Sequence, residues 1–294
     1  MVHRIMEEEK KPLLTPEERE RILKEKNKWD SIEYIQYEMV KAMHHREHAI
    51  LPAKNEENKK KHIRYMLSFS VKFLKEHWEM FNYHKHLCNQ YVSVATLKDV
   101  PIFSYKLDKR KHEEEYQNFD KNYADFVESY SGFFDFDGKE NFEKCYQEAK
   151  EFHSILTRLK IPFYCLNSSL YGFHFIIPSE YMPEMNIRQL LPILNNVIHW
   201  VKDTHKFECL DETVTDMKRL RKLPYSYEAF TQCVCLPLKD EQFLNYNFDM
   251  VNVKNVLDVR KTGYLKKRGL LIREHGLTFD ELKSNVLKFI ELYK

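Results

Sequence analysis

Two aspartates one residue apart, Asp135 and Asp137, sit in the run Phe133-Phe134-Asp135-Phe136-Asp137-Gly138. Side chains of a β-strand alternate between faces with a period of two. A strand here sends Phe134 and Phe136 one way and both carboxylates the other. Neighbouring carboxylates repel, and a cation between them relieves the repulsion. Hard divalent ions such as Mg²⁺ bind through a few carboxylates together with substrate phosphates. The spacing suits a metal–nucleotide seat; it also suits a strand end with two solvated acids, so the residues that follow bear on the choice.

Phe142, Cys145, Ala149, Phe152, Leu156 and Leu159 recur at intervals of three and four, the stripe of an amphipathic helix facing a core. Ile161-Pro162-Phe163-Tyr164-Cys165-Leu166 returns as a strand, which predicts a β–α–β unit with two parallel strands side by side. A polar turn, Asn167-Ser168-Ser169-Leu170-Tyr171-Gly172, leads into a third strand, Phe173–Pro178. There His174 points away from Phe173 and Phe175. A single histidine of this kind is usually structural, but with Ser168 before it and Gly172 in the turn it is placed to reach a phosphate. A second amphipathic helix covers residues 187–202, with Pro192 as a point of kinking. Asp211 then precedes the run Met217-Lys218-Arg219-Leu220-Arg221-Lys222-Leu223-Pro224-Tyr225-Ser226. Alone this is an ion-paired surface. Beside two metal-binding acids it supplies a third carboxylate and cations for a triphosphate. Residues 231–238 read as a closing strand with Cys233 and Cys235 in the core.

Upstream, Thr15-Pro16-Glu17-Glu18 is a helix start with a capping box, and residues 1–30 read as a charged helical extension. Residues 31–88 read as mainly helical, including Arg46–Leu51. Lys59–Lys61 and Lys266–Arg268 are solvated loops or phosphate-contacting patches. His84, His86 and Cys88 lack the spacing of a zinc site. Gln90–Leu97 reads as one strand, residues 239–277 as irregular, and Thr278 with Glu281 caps a last helix.

The 294 residues carry 47 basic and 45 acidic side chains, so nucleic-acid binding needs a local basic face. No run is long and apolar enough for a membrane span or a secretion signal. Six cysteines without a framework point to reduced thiols. The absence of a Gly-rich phosphate loop argues against a P-loop ATPase.

Three motifs in order, Asp135-Phe136-Asp137, Ser168-Ser169-Leu170-Tyr171-Gly172-Phe173-His174, and Asp211 with Val214-Thr215 followed by Arg219–Ser226, resemble the catalytic small subunit of archaeal and eukaryotic DNA primases and the wider primase–polymerase superfamily. Arg46-Glu47-His48-Ala49 and Tyr91–Ala95 are fainter echoes. The resemblance implies a mixed α/β fold, with an α/β module and an RRM-like module, a site between them, and residues 31–294 as catalytic domain. It implies template-directed primer synthesis on single-stranded DNA from nucleoside triphosphates. Asp135, Asp137 and Asp211 would hold two Mg²⁺ or Mn²⁺ ions about 4 Å apart. Ser168, His174, Arg219 and Lys222 would grip the triphosphate. A primase large subunit is the partner such a chain would have, and its compartment would be the cytoplasm, at the nucleoid, or a nucleus in a eukaryote.

The departures are specific. Ser169 stands where the family has Gly, Tyr171 where many members are basic, Lys222 where Arg is usual, and Tyr227 where archaeal members place His. No Cys/His cluster suits the structural zinc of many members, so none is expected. Competing readings are a primase–polymerase of a mobile element, a gap-filling repair polymerase, and a non-catalytic nucleic-acid-binding subunit.

Overall fold

The structure is a computed structural model that describes residues 15–52, 63–66, 87–98, 113–138, 141–168, 171–228, 231–257 and 272–292. Lys59–Lys61, His84, His86, Ser169 and Lys266–Arg268 lie outside the described residues. In chain order come α1 (Pro16–Asp30), α2 (Glu33–Met43), β1 (Glu47–Pro52), β2 (Ile63–Met66), β3 (Cys88–Ser93), β4 (Ala95–Leu97), β5 (Val127–Tyr130) and β6 (Gly132–Asp137). They are followed by α3 (Phe142–Arg158), β7 (Tyr164–Asn167), β8 (Gly172–Ile177), α4 (Ile187–His205), β9 (Leu220–Lys222), β10 (Tyr227–Glu228), β11 (Cys233–Val234), β12 (Pro237–Leu238) and α5 (Phe279–Leu292). The fold is mixed α/β, and among the described residues no helix is long and apolar enough to cross a membrane.

One four-stranded sheet has the order β12-β7-β8-β6, with antiparallel neighbours throughout. The expected β–α–β unit is present, with one correction. β6 and β7 run parallel but are not adjacent, because the short turn after β7 folds the chain into a hairpin and β8 takes the place between them. α4 then carries the chain back so that Leu210 bridges Phe136 on the free side of β6. The order β7, β8, β6, Leu210 across a β–α–β–β–α–β chain is that of the split βαβ family to which RRM-like modules belong.

Aromatic side chains fix this sheet to α3. The helix starts at Asn141, whose side chain accepts the Lys144 N–H at 3.0 Å. Phe152 meets Phe134 at 4.7 Å and Phe136 at 5.4 Å, centroid to centroid, and Phe136 also meets Phe175 and Phe207. Each such ring removes a large apolar area from water. The acid strand is thus anchored through its apolar face. α4 runs on through Pro192 to a left-handed cap at Lys206.

The other four-stranded sheet has the order β2-β1-β3-β9. It corrects the helical reading of residues 31–88 in part: Glu33–Met43 is helical, but Glu47–Pro52 and Ile63–Met66 are strands. α2 stops at Met43, His45 adopts a φ of 53°, and Glu47–Pro52 pairs with β3. Strand pairing over about forty residues outweighs local helix propensity here. The run 90–97 is two strands, not one. Arg46 Nη1 donates to the carbonyls of Ser93 and Val94 at 2.9 and 2.7 Å, and Val94 N donates to Arg219 O at 2.9 Å, so the chain turns at Val94. β4 then pairs with β5, which leads into the acid strand.

The closing run is likewise split, with β11 on β10 and β12 on β7. Buried Asn167 fills the break, donating to Val234 O at 2.9 Å and accepting from Leu236 N at 2.7 Å. Cys233 and Cys235 are buried, in keeping with a core role. Residues 239–277 are less irregular than expected, since Asp240–Leu244 and Val253–Leu257 are helical. At α5 the capping box of Thr278 and Glu281 is present. α1 is joined to the body by its last turn, where fully buried Trp29 donates Nε1–H to Tyr225 O at 2.8 Å.

Candidate active site

The carboxylates are gathered by strand register. Asp135 lies opposite His174 on β8, and Asp137 opposite Gly172. On the other side of β6, Asp211 N donates to Asp135 O and Asp137 N donates to Cys209 O, both at 2.9 Å. Residues opposed in an antiparallel ladder share a face. Asp211, Asp135 and His174 therefore form one row, with Asp137 one step along it. Phe134 and Phe136 occupy the opposite face, as the alternation predicts.

The segment that carries Asp211 is held from below. Glu148 of α3 is buried, and its two carboxylate oxygens accept the N–H groups of Glu208 and Cys209 at 3.1 and 2.8 Å. Sequence reading missed this residue. The signal was an acid at position 148 inside the apolar stripe of Cys145, Ala149 and Phe152. Glu148→Ala strands two backbone donors and is expected to cost about 2 kcal/mol of stability, read by urea unfolding.

Arg219, in the loop before β9, reaches the Asp211 segment, while Lys222 lies on β9 opposite Tyr91. Arg219 Nε lies 3.0 Å from Asp216, its Nη1 4.0 Å from Asp211, and its Nη2 donates to the Thr213 carbonyl. The ammonium of Lys222 sits 4.9 Å from the centre of the Tyr91 ring. Ser168 lies at the hairpin end, where its N–H donates to Gly172 O at 2.8 Å. The hydrogen bonds among the described residues do not tie Ser168 to the carboxylate row.

His174 is 4% exposed and its Nε2 stands 3.4 Å from Asp135 Oδ1. Burial, then the positive charges of Arg221, Lys222 and Arg219, push its pKa down to about 3. Burial thus favours the neutral ring, which stands beside Asp135. His48 on β1 is also held neutral, by burial, at about 4. The unfolded chain protonates such rings near pH 6.5. Between the two values the unfolded state binds more protons, so stability is full above about pH 6.5 and falls as the pH drops toward 4. The urea midpoint is expected to be lower at pH 5 than at pH 7, with a smaller drop in His48→Gln; equal midpoints at the two pH values in the parent would contradict it.

The donor set suits a hard divalent cation, being carboxylate oxygen on one sheet face. Among the described residues no three His, Cys, Asp or Glu side chains already stand close enough to hold an ion. The reason at Asp211 is visible: its Oδ1 accepts from both N and Oγ1 of Thr213 at 2.8 Å. Chelation would draw this carboxylate off Thr213. Beside the row a cavity of about 760 Å³ opens, lined by Asp137 and Asp211 with Asn141, Lys144, Lys202 and Thr213.

Fold and site together define a split βαβ module bearing a row of three acids, faced by a basic strand from a second sheet. No protein-family model matches the chain, and no curated protein matches it. Among solved structures it is similar to the polymerase domain of Mycobacterium tuberculosis Ligase D in complex with DNA, at 10% identity and a TM-score of 0.48, over 92% of this chain and 88% of that one. It is also similar to the AEP domain of the cyanophage S-2L primase–polymerase, at 11% identity and a TM-score of 0.40, over 70% of this chain and 91% of that one.

Proposed function

We propose that this chain is a nucleotidyltransferase that joins nucleotides on a single-stranded DNA template, as a primase catalytic subunit does. The observation that carries the reading is the register that sets Asp211 opposite Asp135, with Asp137 alongside on the same face. Three carboxylates on an anchored strand edge, faced by Arg219 and Lys222, suit a triphosphate substrate and the divalent ions that accompany it.

Asp135, Asp137 and Asp211 would hold Mg²⁺ or Mn²⁺, which supplies charge neutralisation at the triphosphate and activation of the attacking hydroxyl. His174 steadies Asp135 from the neighbouring strand. Arg219 steadies the loop at Asp211 through Thr213 and Asp216, and its charge with that of Lys222 draws the triphosphate to the row. Glu148 holds the backbone just before Asp211 through the N–H groups of Glu208 and Cys209.

The test is synthesis on unprimed single-stranded DNA with labelled ribo- or deoxynucleotides and Mg²⁺ or Mn²⁺, products sized on a gel. Products that vanish in Asp135→Ala support a primase, and the nucleotide lanes set its substrate. Extension only when a primer is supplied turns the reading to a gap-filling or primase–polymerase enzyme of the same superfamily. Failure of both, with or without a large subunit, overturns catalysis and leaves a nucleic-acid-binding subunit.

A further inference from the structure

Cys145 and Cys209 meet beside the end of the acid strand. Cys145 lies on α3 and is fully buried, and Cys209 stands two residues before Asp211. Of the six cysteines, all within the described residues, Cys209 alone is not buried. It forms part of the wall of the cavity of about 760 Å³ that also holds Asp137 and Asp211. Both cysteines touch the same point of the chain. The Cys209 carbonyl accepts the Asp137 N–H at 2.9 Å, and Cys145 Sγ lies 3.1 Å from where a Cβ on Gly138 would stand. Glu148, one turn along α3 from Cys145, accepts the Cys209 N–H at 2.8 Å. So held, the Cys209 thiol is in hydrogen-bonding contact with the thiol of Cys145.

No step of nucleotidyl transfer uses either thiol. Two thiols in contact, one of them open to a cavity, can join with little rearrangement of the fold. In a reducing compartment the disulfides that do form are mostly transient and regulatory. Burial holds both thiols up, Cys209 to about 11, so the pair stays protonated and reacts slowly until an oxidant is in excess.

We propose that Cys145 and Cys209 are a redox-sensitive pair that a peroxide closes into a disulfide, displacing the Asp211 segment against the acid strand. Cys209 sulfur, reached through the cavity, attacks one oxygen of hydrogen peroxide. The O–O bond breaks, the departing hydroxide takes the thiol proton as water, and a sulfenic acid remains. Cys145 sulfur then attacks Cys209 sulfur, and the hydroxyl leaves with the Cys145 proton as a second water. The two thiols lose two electrons and the peroxide gains them. An S–S bond of about 2.05 Å is far shorter than a thiol–thiol contact, so closure draws Cys209 onto α3. Cys209 O holds Asp137 N, and Asp211 follows two residues later, so the carboxylates shift against one another. That this shift governs synthesis rests on the polymerase reading; the disulfide itself does not.

The test is hydrogen peroxide treatment of the folded full chain, then alkylation of the remaining thiols and peptide mass mapping. A Cys145–Cys209 cross-linked peptide that dithiothreitol releases is expected, and it should be absent in Cys145→Ser and in Cys209→Ser. The oxidised parent should have a higher urea midpoint than the reduced parent, because the bond closes the loop containing β7, β8 and α4. Neither Ser variant should show that rise. Sulfinic or sulfonic acid at Cys209 with Cys145 still alkylated, a cross-link only to another cysteine, or recovery of both thiols unchanged overturns the pair. The mapping is made on the parent, so it decides the matter even if a variant does not fold.

Primer synthesis is measured on the same samples. Oxidation should lower it by about tenfold to a hundredfold, the effect of misplacing a reacting group by about an ångström, with recovery in dithiothreitol and no such loss in Cys145→Ser. A cross-link with unchanged synthesis overturns its control of the site. A chain that forms the cross-link but makes no product in either state keeps the pair and loses the polymerase reading. An active chain whose thiols never join keeps the polymerase reading and loses the pair.

Discussion

Asp137→Asn is expected to lower nucleotidyl transfer by about a thousandfold or more, because a metal-held transition state loses several kcal/mol when one charged ligand becomes a neutral amide. The fold should survive. Asp137 closes β6 as an exposed residue, and its backbone N–H donates to Cys209 O whatever the side chain is. Removing one of three like charges also relieves repulsion. The urea midpoint should therefore stay equal or rise slightly while primer synthesis disappears. Robust synthesis by the variant would remove Asp137 from the site, and joint loss of activity and fold would remove the argument that the carboxylate is chemical rather than structural.

Gly172→Ala should do the reverse and strike stability first, by about 3 kcal/mol or more. A Cβ at Gly172 would press into the carbonyl oxygen of Phe136 and lie 2.8 Å from Ser168 Oγ. The serine can rotate; the carbonyl cannot, because Phe136 is clamped between Phe152, Phe175 and Phe207 and its neighbours carry the acids. Relief requires β8 to move away from β6, which breaks the pairing of Asp137 with Gly172 and of Asp135 with His174. Gly276→Ala is the control. Gly276 has a φ of +69°, and nothing lies within 4 Å of where an added methyl group would stand, so only the left-handed backbone penalty remains, roughly 1 kcal/mol. Equal urea midpoints for the two variants would refute the steric account of the hairpin.

Much of this site was legible because its parts are local patterns. The alternation at Phe134, Asp135, Phe136 and Asp137 fixes faces within four residues, and the stripe from Phe142 to Leu156 fixes a helix within five turns. Caps at Thr15 and Thr278 are likewise local. What failed depends on partners far along the chain. Arg46–Leu51 reads as helix until β3 is there to pair with it. Val94 reads as mid-strand because the groups that turn the chain there belong to Arg46 and Arg219. The order of β6, β8 and β7 depends on where a hairpin inserts, and no local periodicity encodes that. Glu148 and Arg221 are legible only as polar side chains in positions that ought to be apolar, a signal that marks an unusual residue without naming its partner.

Asp211 meets the sheet edge beside the Phe136–Leu210 bridge, which the chain reaches only after α4 has brought it back. Under the proposed mechanism, cation binding and the docking of α4 would be two sides of one equilibrium. A ligand that prefers the three acids together favours the docked helix by the same free energy by which the docked helix favours the ligand. Under the proposed mechanism, substitutions on the buried stripe of α4, such as at Leu194 or Val197, would change the cation affinity without touching the carboxylates. The site's affinity is a property of the whole module rather than of its three carboxylates.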